Sequence, residues 1–392
     1  MERPKLTAIF LVFALVEVLM ISAVTSVLTS SVSIGSTGTI GTINTDLVLH
    51  VEGKYIKDSQ GNAFTLRGIN KHGFENFPEG SWQRPDGMFD YGKFDPVVVG
   101  ANLDAMQSWG INTVRSYSTA QFWIENTGNH RNIVKQYATL LGERGMYLVY
   151  TFWHTTPTAE QEAIPFPTTT FPDADSFVSM WRSIAQELRD YPNIIFALWN
   201  EPNGNSRVNE WFDVAQECIN AIRAEGAENL ILIEWDGLWY NIDYNDSPVD
   251  APSSVGATMW WVQGKPLTDP ANNLVYEFHL YRGGIHKFVG GSKVNVWEYN
   301  DLKTGFQRCL VDYVLYNLSK PVICGEIGPA MTSSQLQNEL DFYENSLTIF
   351  NEWEMNYLGF WWWPAGVYAQ LESTGYQANA AGDILRSAIS AG

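Results

Sequence analysis

The stretch IIFALWNEP, residues 194–202, gives the clearest indication of the fold. It begins as a short apolar run, which is typical of a buried strand, and it ends on polar residues that include Glu201. A helical pattern follows at residues 207–225, and a second apolar run, LILIEW at 230–235, follows that helix. Strands that alternate with helices in this way predict a parallel sheet with crossover helices.

The same alternation extends along the chain in both directions. The predicted strands are TLRGIN (65–70), NTVRSY (112–117), YLVYTFW (147–153), IIFALWNE (194–201), LILIEW (230–235), VYEFHLY (275–281), VICGEI (322–327) and LGFWWWP (358–364). The predicted helices are 96–109, 131–144, 174–190, 207–225, 300–318, 333–352 and one near 377–390. Eight strands with helices between them predict an α/β fold, the (β/α)8 or TIM barrel. A hairpin-like stretch with a turn at 58–62 precedes the first of them.

The composition narrows the classes of ligand. The chain has 392 residues, 45% of them hydrophobic, and carries 24 Lys and Arg against 43 Asp and Glu, for a net charge of −19. The negative electrostatic field of such a chain repels polyanions, so we exclude nucleic acid as a partner. Aromatic residues form 14% of the chain and include 16 Trp, which suits either sugar stacking or a large aromatic core. The three cysteines allow at most one disulfide.

The N-terminal segment predicts export. Residues 1–28 contain a positively charged start and a long apolar run, which predicts a cleaved signal peptide or an uncleaved N-terminal anchor. Residues 29–45 are rich in Ser, Thr and Gly and predict a flexible linker. We therefore expect the barrel domain to occupy residues 46–392 and the protein to be extracellular, secreted or membrane-anchored through this segment.

Polar residues follow most of the predicted strands, at the end of the barrel where active sites lie. They are Asn70, Arg115, His154, Asn200, Glu201, Glu234, His279, Tyr281, Glu326 and the Trp run 361–363. We expect them to form a ring of hydrogen-bonding and titratable groups around one mouth of the barrel.

Two carboxylates in this ring stand out. Glu201 follows the fourth strand and Glu326 follows the seventh, so the two lie roughly across the barrel mouth from each other. Retaining glycosidases need such a pair, one carboxylate as nucleophile and the other as general acid and then base. Either glutamate taken singly could instead form a structural ion pair with Arg or Lys.

The neighbouring residues can support this chemistry. Asn200 can hydrogen-bond a substrate 2-hydroxyl, an interaction that strengthens in an oxocarbenium-like transition state. His279 and Tyr281 lie two apart on a strand and therefore face the same side, where Tyr281 can donate to a carboxylate. Arg115 can lower the pKa of the nucleophile. A single histidine after an apolar strand is more often a packing residue, but the place of His154 in the ring favours binding to a sugar hydroxyl.

A series of short motifs runs in order along residues 48–390. The motifs are RGIN (67–70), INTVRSY (111–117), FWH (152–154), WNEP (199–202), FHLY (278–281), GEIG (325–328) and FWWW (360–363). With them the sequence resembles glycoside hydrolase family 5, the cellulase family. The resemblance implies Glu201 as acid/base, Glu326 as nucleophile and Asn200 as the partner of the 2-hydroxyl. It also implies substrate-binding or supporting roles for Asn70, Arg115, His154, His279 and Tyr281.

The same resemblance implies that a Trp of the eighth strand forms the floor of the cleavage subsite. Trp361 and Trp363 share a face of that strand, and Trp361 fits the family pattern better. The resemblance implies no cofactor and no metal for catalysis.

The function expected from these observations is endo-β-1,4-glucanase activity on a β-linked polysaccharide or oligosaccharide, with no protein partner implied. Endo-β-1,4-mannanase is the alternative in the same family, since sequence does not resolve how the cleavage subsite treats an axial or equatorial 2-hydroxyl. A non-catalytic carbohydrate-binding barrel is less compatible with two retained carboxylates. A metal-dependent hydrolase would need more ligands than the six histidines of the chain bring to the strand ends.

Overall fold

Eight parallel strands close a barrel in the computed structural model of the chain, which describes residues 45–73, 94–157, 159, 163–203, 205–235, 242–243, 259–373 and 375–392. The strands are β1 (His50–Glu52), β2 (Tyr55–Lys57), β3 (Ala63–Phe64), β4 (Arg67–Asn70), β5 (Thr113–Thr119), β6 (Tyr147–His154), β7 (Ile194–Ala197), β8 (Ile231–Glu234), β9 (Ile242–Asp243), β10 (Leu274–Tyr281), β11 (Ile285–Val289), β12 (Ser292–Asn295), β13 (Val322–Gly328) and β14 (Asn356–Gly359). The barrel order is β4-β5-β6-β7-β8-β10-β13-β14, and β14 pairs with β4 to close it. The predicted (β/α)8 fold is confirmed.

Helices connect the barrel strands and pack outside them. They are α1 (Pro96–Ser108), α2 (Ala120–Glu125), α3 (His130–Gly142), α4 (Ala174–Leu188), α5 (Val208–Ala224), α6 (Trp261–Gly264), α7 (Tyr299–Arg308), α8 (Leu336–Glu352) and α9 (Ala380–Ala391). Side-chain caps define several starts: the Asp95 carboxylate accepts from the amides of Val97 and Val98, and the Asp173 carboxylate accepts from Ser176. The single predicted helix 300–318 is two pieces, because α7 ends at Arg308 and a separate π-helical turn follows at Tyr313–Asn317.

Residue alternation on the strands separates two cores. On β6, Tyr147 and Val149 point into the barrel, whereas Leu148 and Tyr150 point outward to the helices. The barrel interior is filled by Tyr147, Val149, Ile195, Ala197, Leu232, Val275, Ile323 and Leu358. The interior is therefore a packed apolar plug that leaves only the C-terminal mouth for polar groups.

A small antiparallel sheet, β1-β2-β3, lies at the opposite end of the barrel. Its Val51 and Ile56 belong to the same apolar cluster as the barrel interior, so this sheet covers the N-terminal mouth. The predicted turn at Asp58–Asn62 is confirmed: the Asp58 carboxylate accepts from the amides of Gln60 and Asn62. A second small sheet pairs β11 with β12 and β9.

A glycine makes the junction between the first and last barrel strands possible. A Cβ on Gly68 would lie 2.0 Å from the carbonyl oxygen of Thr113 and 2.7 Å from Leu358. No side chain tolerates such distances, so glycine is required in the RGIN motif for β4 to fit between its two neighbours.

Two predicted strands end earlier than expected, and both differences affect the site. Strand β7 ends at Ala197, so Glu201 lies in the segment after the strand. Strand β14 ends at Gly359, so Trp361 does not lie on the eighth strand as predicted. The Trp361 amide donates to the Tyr368 carbonyl, a local pairing, while the next amide, that of Trp362, donates to the carbonyl of Asn70 on β4.

The N-terminal predictions fall largely outside the described residues. This holds for residues 1–28 and for the predicted linker up to residue 44, while Ile43–Gly392 form one compact unit. Among the described residues, no helix has the length and apolarity needed to cross a membrane. The three cysteines are buried free thiols. The domain boundaries proposed from sequence stay predictions.

Candidate active site

A buried arginine stands at the centre of the residues that the strand ends bring together. Arg115 on β5 is completely buried; its Nη1 donates to Glu326 Oε1 and to Asn200 Oδ1, each at 2.9 Å, and its Nε lies 3.2 Å from Glu277 Oε1. Burial alone would lower the pKa of Arg115, but the acidic groups around it, Glu277 foremost, hold that pKa well above its ordinary value. Arg115 is therefore a permanent cation among the carboxylates.

Glu326 is held at both carboxylate oxygens. Besides Arg115, its Oε1 lies 2.6 Å from the Tyr117 hydroxyl, and its Oε2 accepts from the Tyr281 hydroxyl at 2.7 Å. Burial and the nearby Glu326 raise the pKa of Tyr281 well above its usual value, and burial does the same for Tyr117 despite the opposing effect of Arg115. Both phenols therefore keep their protons and can donate to Glu326.

Glu201 occupies a different environment. Its backbone is left-handed, with φ at +51°, and its amide donates to Glu234 Oε2 at 3.0 Å. Its Oε1 lies 2.8 Å from His279 Nδ1. The Glu201 side chain is 16% exposed and that of Glu326 6%, so Glu201 is the carboxylate more open to the mouth.

Two further carboxylates lie beneath His279. Glu234 Oε1 is 3.3 Å from His279 Nδ1, and Glu277 Oε1 is 3.4 Å from His279 Nε2. Burial would lower the pKa of His279, but the attraction of Glu234 and Glu326 raises it well above its ordinary value. The histidine is accordingly an imidazolium at neutral pH.

The two buried carboxylates are pushed in opposite directions. Burial favours the neutral acid for both, but the adjacent Arg115 outweighs it at Glu277 and lowers the pKa of that carboxyl. At Glu234, burial and repulsion from Glu277 outweigh the nearby cations and raise the pKa well above its usual range. Glu277 is therefore the ionised partner of Arg115.

An aromatic surface borders the carboxylates. The ring of Trp361 meets His72 edge-on at 4.2 Å and stacks on Trp363 at 5.9 Å, while the peptide bond before Trp361 is cis. Trp362 is buried and packs on Trp109 at 4.8 Å. The rings of Trp361 and Trp363 stack on each other, although both residues lie after the eighth strand and not on a face of it as predicted.

Asn70 and His154 complete the predicted set. The Asn70 amide donates to the carbonyls of Gly325 and Gly359 at 2.8 and 3.1 Å, and its Oδ1 lies 2.5 Å from the Tyr117 hydroxyl. Asn70 is thus a brace between strand ends. His154 is the last residue of β6, and its ring stacks on that of Trp153 at 5.5 Å. Its contact with a sugar hydroxyl stays a prediction.

Sequence reasoning missed Tyr117, and it placed Glu234 in the ring of polar residues without giving it a role. Tyr117 lies two residues after Arg115 on the same strand, so the alternation that paired His279 with Tyr281 would also have found it. No comparable signal marks Glu234, because its partner Glu201 comes from a different segment.

The sequence profile described as Cellulase (glycosyl hydrolase family 5) matches residues 58–366. The chain belongs to this family.

Relatives of the cellulase family share parts of the chain. Endoglucanase A of Butyrivibrio fibrisolvens is 25% identical over 251 residues, which are 61% of this chain and 46% of that protein. The manganese dependent endoglucanase Eg5A of Phanerodontia chrysosporium is 28% identical over 207 residues, 50% of this chain and 46% of that protein. The chain thus spans less than half the length of these two relatives.

A solved structure shares the fold. The endocellulase of Pyrococcus horikoshii, in complex with cellotetraose, superposes with a TM-score of 0.68 at 17% identity, covering 88% of this chain and 99% of that chain. At this identity the likeness concerns the fold alone.

Two groups of side chains in the site have the spacing of possible metal ligands. Glu201, His279 and Glu326 offer ligand atoms within 4.8 Å of one another, and so do Glu234, Glu277 and His279. In both groups, however, the cations Arg115 and His279 already lie among the carboxylates. A divalent ion would have to displace or deprotonate them, so the donor set fits a resident metal poorly.

The raised pKa of His279 predicts a specific loss of stability at alkaline pH. The folded protein binds the His279 proton more tightly than the unfolded chain, so this stabilisation is complete below pH about 6.5 and is lost as pH rises through the folded pKa. In His279→Gln, the free energy of unfolding should fall less steeply between pH 7 and 9, by up to about 1.4 kcal/mol per pH unit. Urea unfolding at a series of pH values measures both slopes.

His130 offers a matched control. It is also completely buried, but burial lowers its pKa to about 3, so it is neutral in the folded and unfolded states across this pH range. His130→Gln should keep the wild-type slope. Equal slopes for wild type and His279→Gln would contradict the assignment of an imidazolium.

Proposed function

We propose that this chain is a retaining endo-β-1,4-glucanase with Glu201 as acid/base and Glu326 as nucleophile. One observation carries the proposal: Glu201 and Glu326 offer oxygens within 4.8 Å of each other at the mouth of the barrel. Retaining glycosidases hold their carboxyls about 5–5.5 Å apart, whereas inverting enzymes need about 6.5–9.5 Å to admit a water molecule. The spacing supports direct attack by a carboxylate.

The environments of the two carboxylates support the division of roles. Arg115, Tyr117 and Tyr281 surround Glu326 with hydrogen-bond donors, which favour its ionised form as a nucleophile and later as a leaving carboxylate. The Glu201 side chain is the more exposed of the two. It is therefore better placed to exchange a proton with substrate and water.

In the first step, Glu326 attacks the anomeric carbon while Glu201 donates its proton to the departing glycosidic oxygen. A covalent glycosyl ester forms at Glu326, and the negative charge moves from Glu326 to Glu201. His279 Nδ1 lies 2.8 Å from Glu201 Oε1 and 3.6 Å from Glu326 Oε1, so its positive charge faces the carboxylates at both ends of this transfer. In the second step, Glu201 removes a proton from water, which attacks the anomeric carbon and releases Glu326.

The remaining residues would bind the sugar. The bond from Arg115 to Asn200 Oδ1 fixes the Asn200 amide, which turns its NH2 group away from Arg115 as a donor for the 2-hydroxyl. His154 would bind another hydroxyl, and Trp361 would stack on the ring in the cleavage subsite. The relatives named endoglucanase support β-1,4-glucan over mannan as the substrate.

We also propose that the enzyme acts outside the cell. The apolar run within residues 1–28 supports export, and a polymeric glucan is met there.

The proposed mechanism predicts net retention of anomeric configuration. Glu201→Ala and Glu326→Gly should each lose activity by at least about 1000-fold, because each removes a group that acts in the transition state. With an activated aryl glycoside, azide should rescue the two variants to opposite products. It replaces the missing nucleophile in Glu326→Gly and gives the α-azide, and it intercepts the covalent intermediate in Glu201→Ala and gives the β-azide.

Proton NMR identifies the first anomer that the wild type releases and the anomer of each azide product. The two variants serve as controls for each other. Release of the inverted anomer by the wild type, or the same azide anomer from both variants, would contradict the assigned roles.

The aromatic surface predicts endo cleavage that uses several sugar subsites. We expect kcat/KM to rise from cellotriose to cellopentaose, because binding energy from remote sugars is used at the reacting bond. Trp361→Ala should lower kcat/KM by about 10- to 100-fold with unchanged unfolding, since stacking on a ring is worth about 1–3 kcal/mol. Kinetics on the oligosaccharide series, with mannan and carboxymethylcellulose as polymers, measure both effects.

Tyr316 provides the control, because it is a 51% exposed aromatic beside the sheet that covers the other mouth of the barrel. Tyr316→Ala should leave these kinetics unchanged. If mannan is preferred over glucan, the enzyme is a mannanase and not a glucanase. If cellobiose is the best substrate, the site is a closed pocket and the enzyme is a β-glucosidase.

If the protein is exported, the mature form should be recovered outside the cytosol. Mass spectrometry of the N-terminus of the native protein should find it either processed within or near residues 1–28 or intact in a membrane fraction. An intact chain recovered from the cytosol would contradict export.

A further inference from the structure

Glu234 has no place in the two chemical steps, yet it contacts the proposed acid/base directly. It ends β8 and is 2% exposed. Its Oε2 accepts the backbone N–H of Glu201 at 3.0 Å, and its Oε1 lies 3.3 Å from His279 Nδ1. The same His279 nitrogen is 2.8 Å from Glu201 Oε1. Glu234 therefore contacts the main chain of Glu201 directly and is linked to the side chain of Glu201 through His279.

The backbone of Glu201 needs such support. Its φ of +51° is in the left-handed region, which residues with a Cβ adopt only when surrounding contacts impose it. The amide of Asn200, the preceding residue, still donates to the backbone carbonyl of Phe152 on β6 at 3.0 Å, whereas the Glu201 amide donates to a side chain, that of Glu234. A buried hydrogen bond from the Glu201 amide to a side chain anchored on the next strand can fix this conformation.

Glu234 itself is fixed from several sides. It pairs with Glu277 in the register of β8 and β10, its backbone carbonyl accepts from Trp211 Nε1 at 3.0 Å, and its Oε2 lies 3.7 Å from Arg115 Nη2. These contacts attach it to the barrel wall. A group held in this way can transmit a fixed position to a residue in a loop.

We propose that Glu234 is a positioning residue for general acid catalysis: it holds the backbone of Glu201, and through His279 its carboxyl group, in the position from which Glu201 protonates the leaving oxygen. The inference rests on the proposed role of Glu201. It assigns Glu234 no contact with substrate and no proton transfer of its own.

A positioning role can be separated from a merely structural one by changing the leaving group. A sugar leaving group must be protonated as it departs, whereas 2,4-dinitrophenolate leaves without a proton. The kcat/KM of a retaining enzyme covers only the steps up to formation of the covalent intermediate, so with the dinitrophenyl substrate it does not depend on the general acid. Loss of acid positioning should therefore lower kcat/KM for cellotetraose and spare it for 2,4-dinitrophenyl β-cellobioside.

The experiment compares wild type, Glu234→Met and Glu234→Gln on these two substrates. Met keeps the volume and removes both oxygens, whereas Gln keeps an oxygen that can accept the Glu201 amide. We expect Glu234→Met to lose about 30-fold or more on cellotetraose and less than about 3-fold on the aryl substrate, and Glu234→Gln to lie between it and wild type. The ratio of the two kcat/KM values cancels any inactive fraction of the protein. If Glu234→Met does not fold, Glu234→Gln carries the test through the same ratio.

Asp269 is a matched control at the other end of the barrel. It is also a buried carboxylate that pairs with an arginine, Arg223 at 2.7 Å, and accepts a backbone amide, that of Asn273 at 2.8 Å. Asp269→Asn should be less stable than wild type and keep the wild-type ratio of kcat/KM values.

A second readout tests the same point in the other half of the reaction. Glu201 also acts as the base that activates water, so turnover of the aryl substrate by Glu234→Met should be limited by hydrolysis of the intermediate. Azide needs no base, and it should restore kcat and give the β-azide, as in Glu201→Ala.

The outcomes distinguish the inference from the proposed function. Equal losses on both substrates, with no azide rescue, would make Glu234 a structural residue and overturn the inference while leaving the glucanase intact. A wild-type protein that cleaves neither substrate would overturn both. A changed ratio in Glu234→Met alone, with Asp269→Asn unchanged, supports the positioning role.

Discussion

The charge of one buried guanidinium, that of Arg115, governs the rest of the site. The mouth of the barrel gathers Glu234, Glu277 and Glu326 at side-chain exposures of at most 6%, where like charges would repel strongly and desolvation would favour neutral acids. Arg115 reaches all three, with contacts between 2.9 and 3.7 Å. Without it the cluster would take up protons until its charge fell, and Glu326 would lose the partner that favours its ionised form. Removing one member of such a buried network leaves the others uncompensated, so the arginine is inseparable from the carboxylates.

The barrel makes this concentration of polar groups possible by excluding them elsewhere. Its interior is apolar below the mouth, and the N-terminal sheet covers the opposite end, so hydrogen-bonding side chains have only one opening. Glycines provide the room. A Cβ on Gly325 would lie 1.8 Å from Glu277 Oε1, so the residue before Glu326 must be glycine for the ionised partner of Arg115 to fit. The GEIG motif thus serves the packing of a neighbouring strand as well as the proposed nucleophile that it carries.

The environment also differentiates carboxylates that are chemically identical. Glu326 lies between an arginine and two phenols, Glu277 is paired with the same arginine, and Glu201 lies beside an imidazolium nearer to solvent. Burial and the neighbouring Glu277 raise the pKa of Glu234. Four glutamates therefore have four distinct environments within one mouth, and each follows from the balance of burial, nearby charge and hydrogen bonding.

The sequence by itself determined the fold class and most of the site. Apolar runs that alternate with helical patterns dictate a parallel barrel, and the barrel brings Asn70, Arg115, His279, Tyr281 and Glu326 together because parallel strands end at one mouth. Only the tertiary structure decided where the strands stop and what lies under the mouth. The left-handed turn at Glu201 accompanies a bond to Glu234 on another strand, and Trp361 leaves the eighth strand where its amide bonds to the Tyr368 carbonyl. Periodicity reports which face of a strand a residue occupies; it does not report which residue of another strand that face will meet.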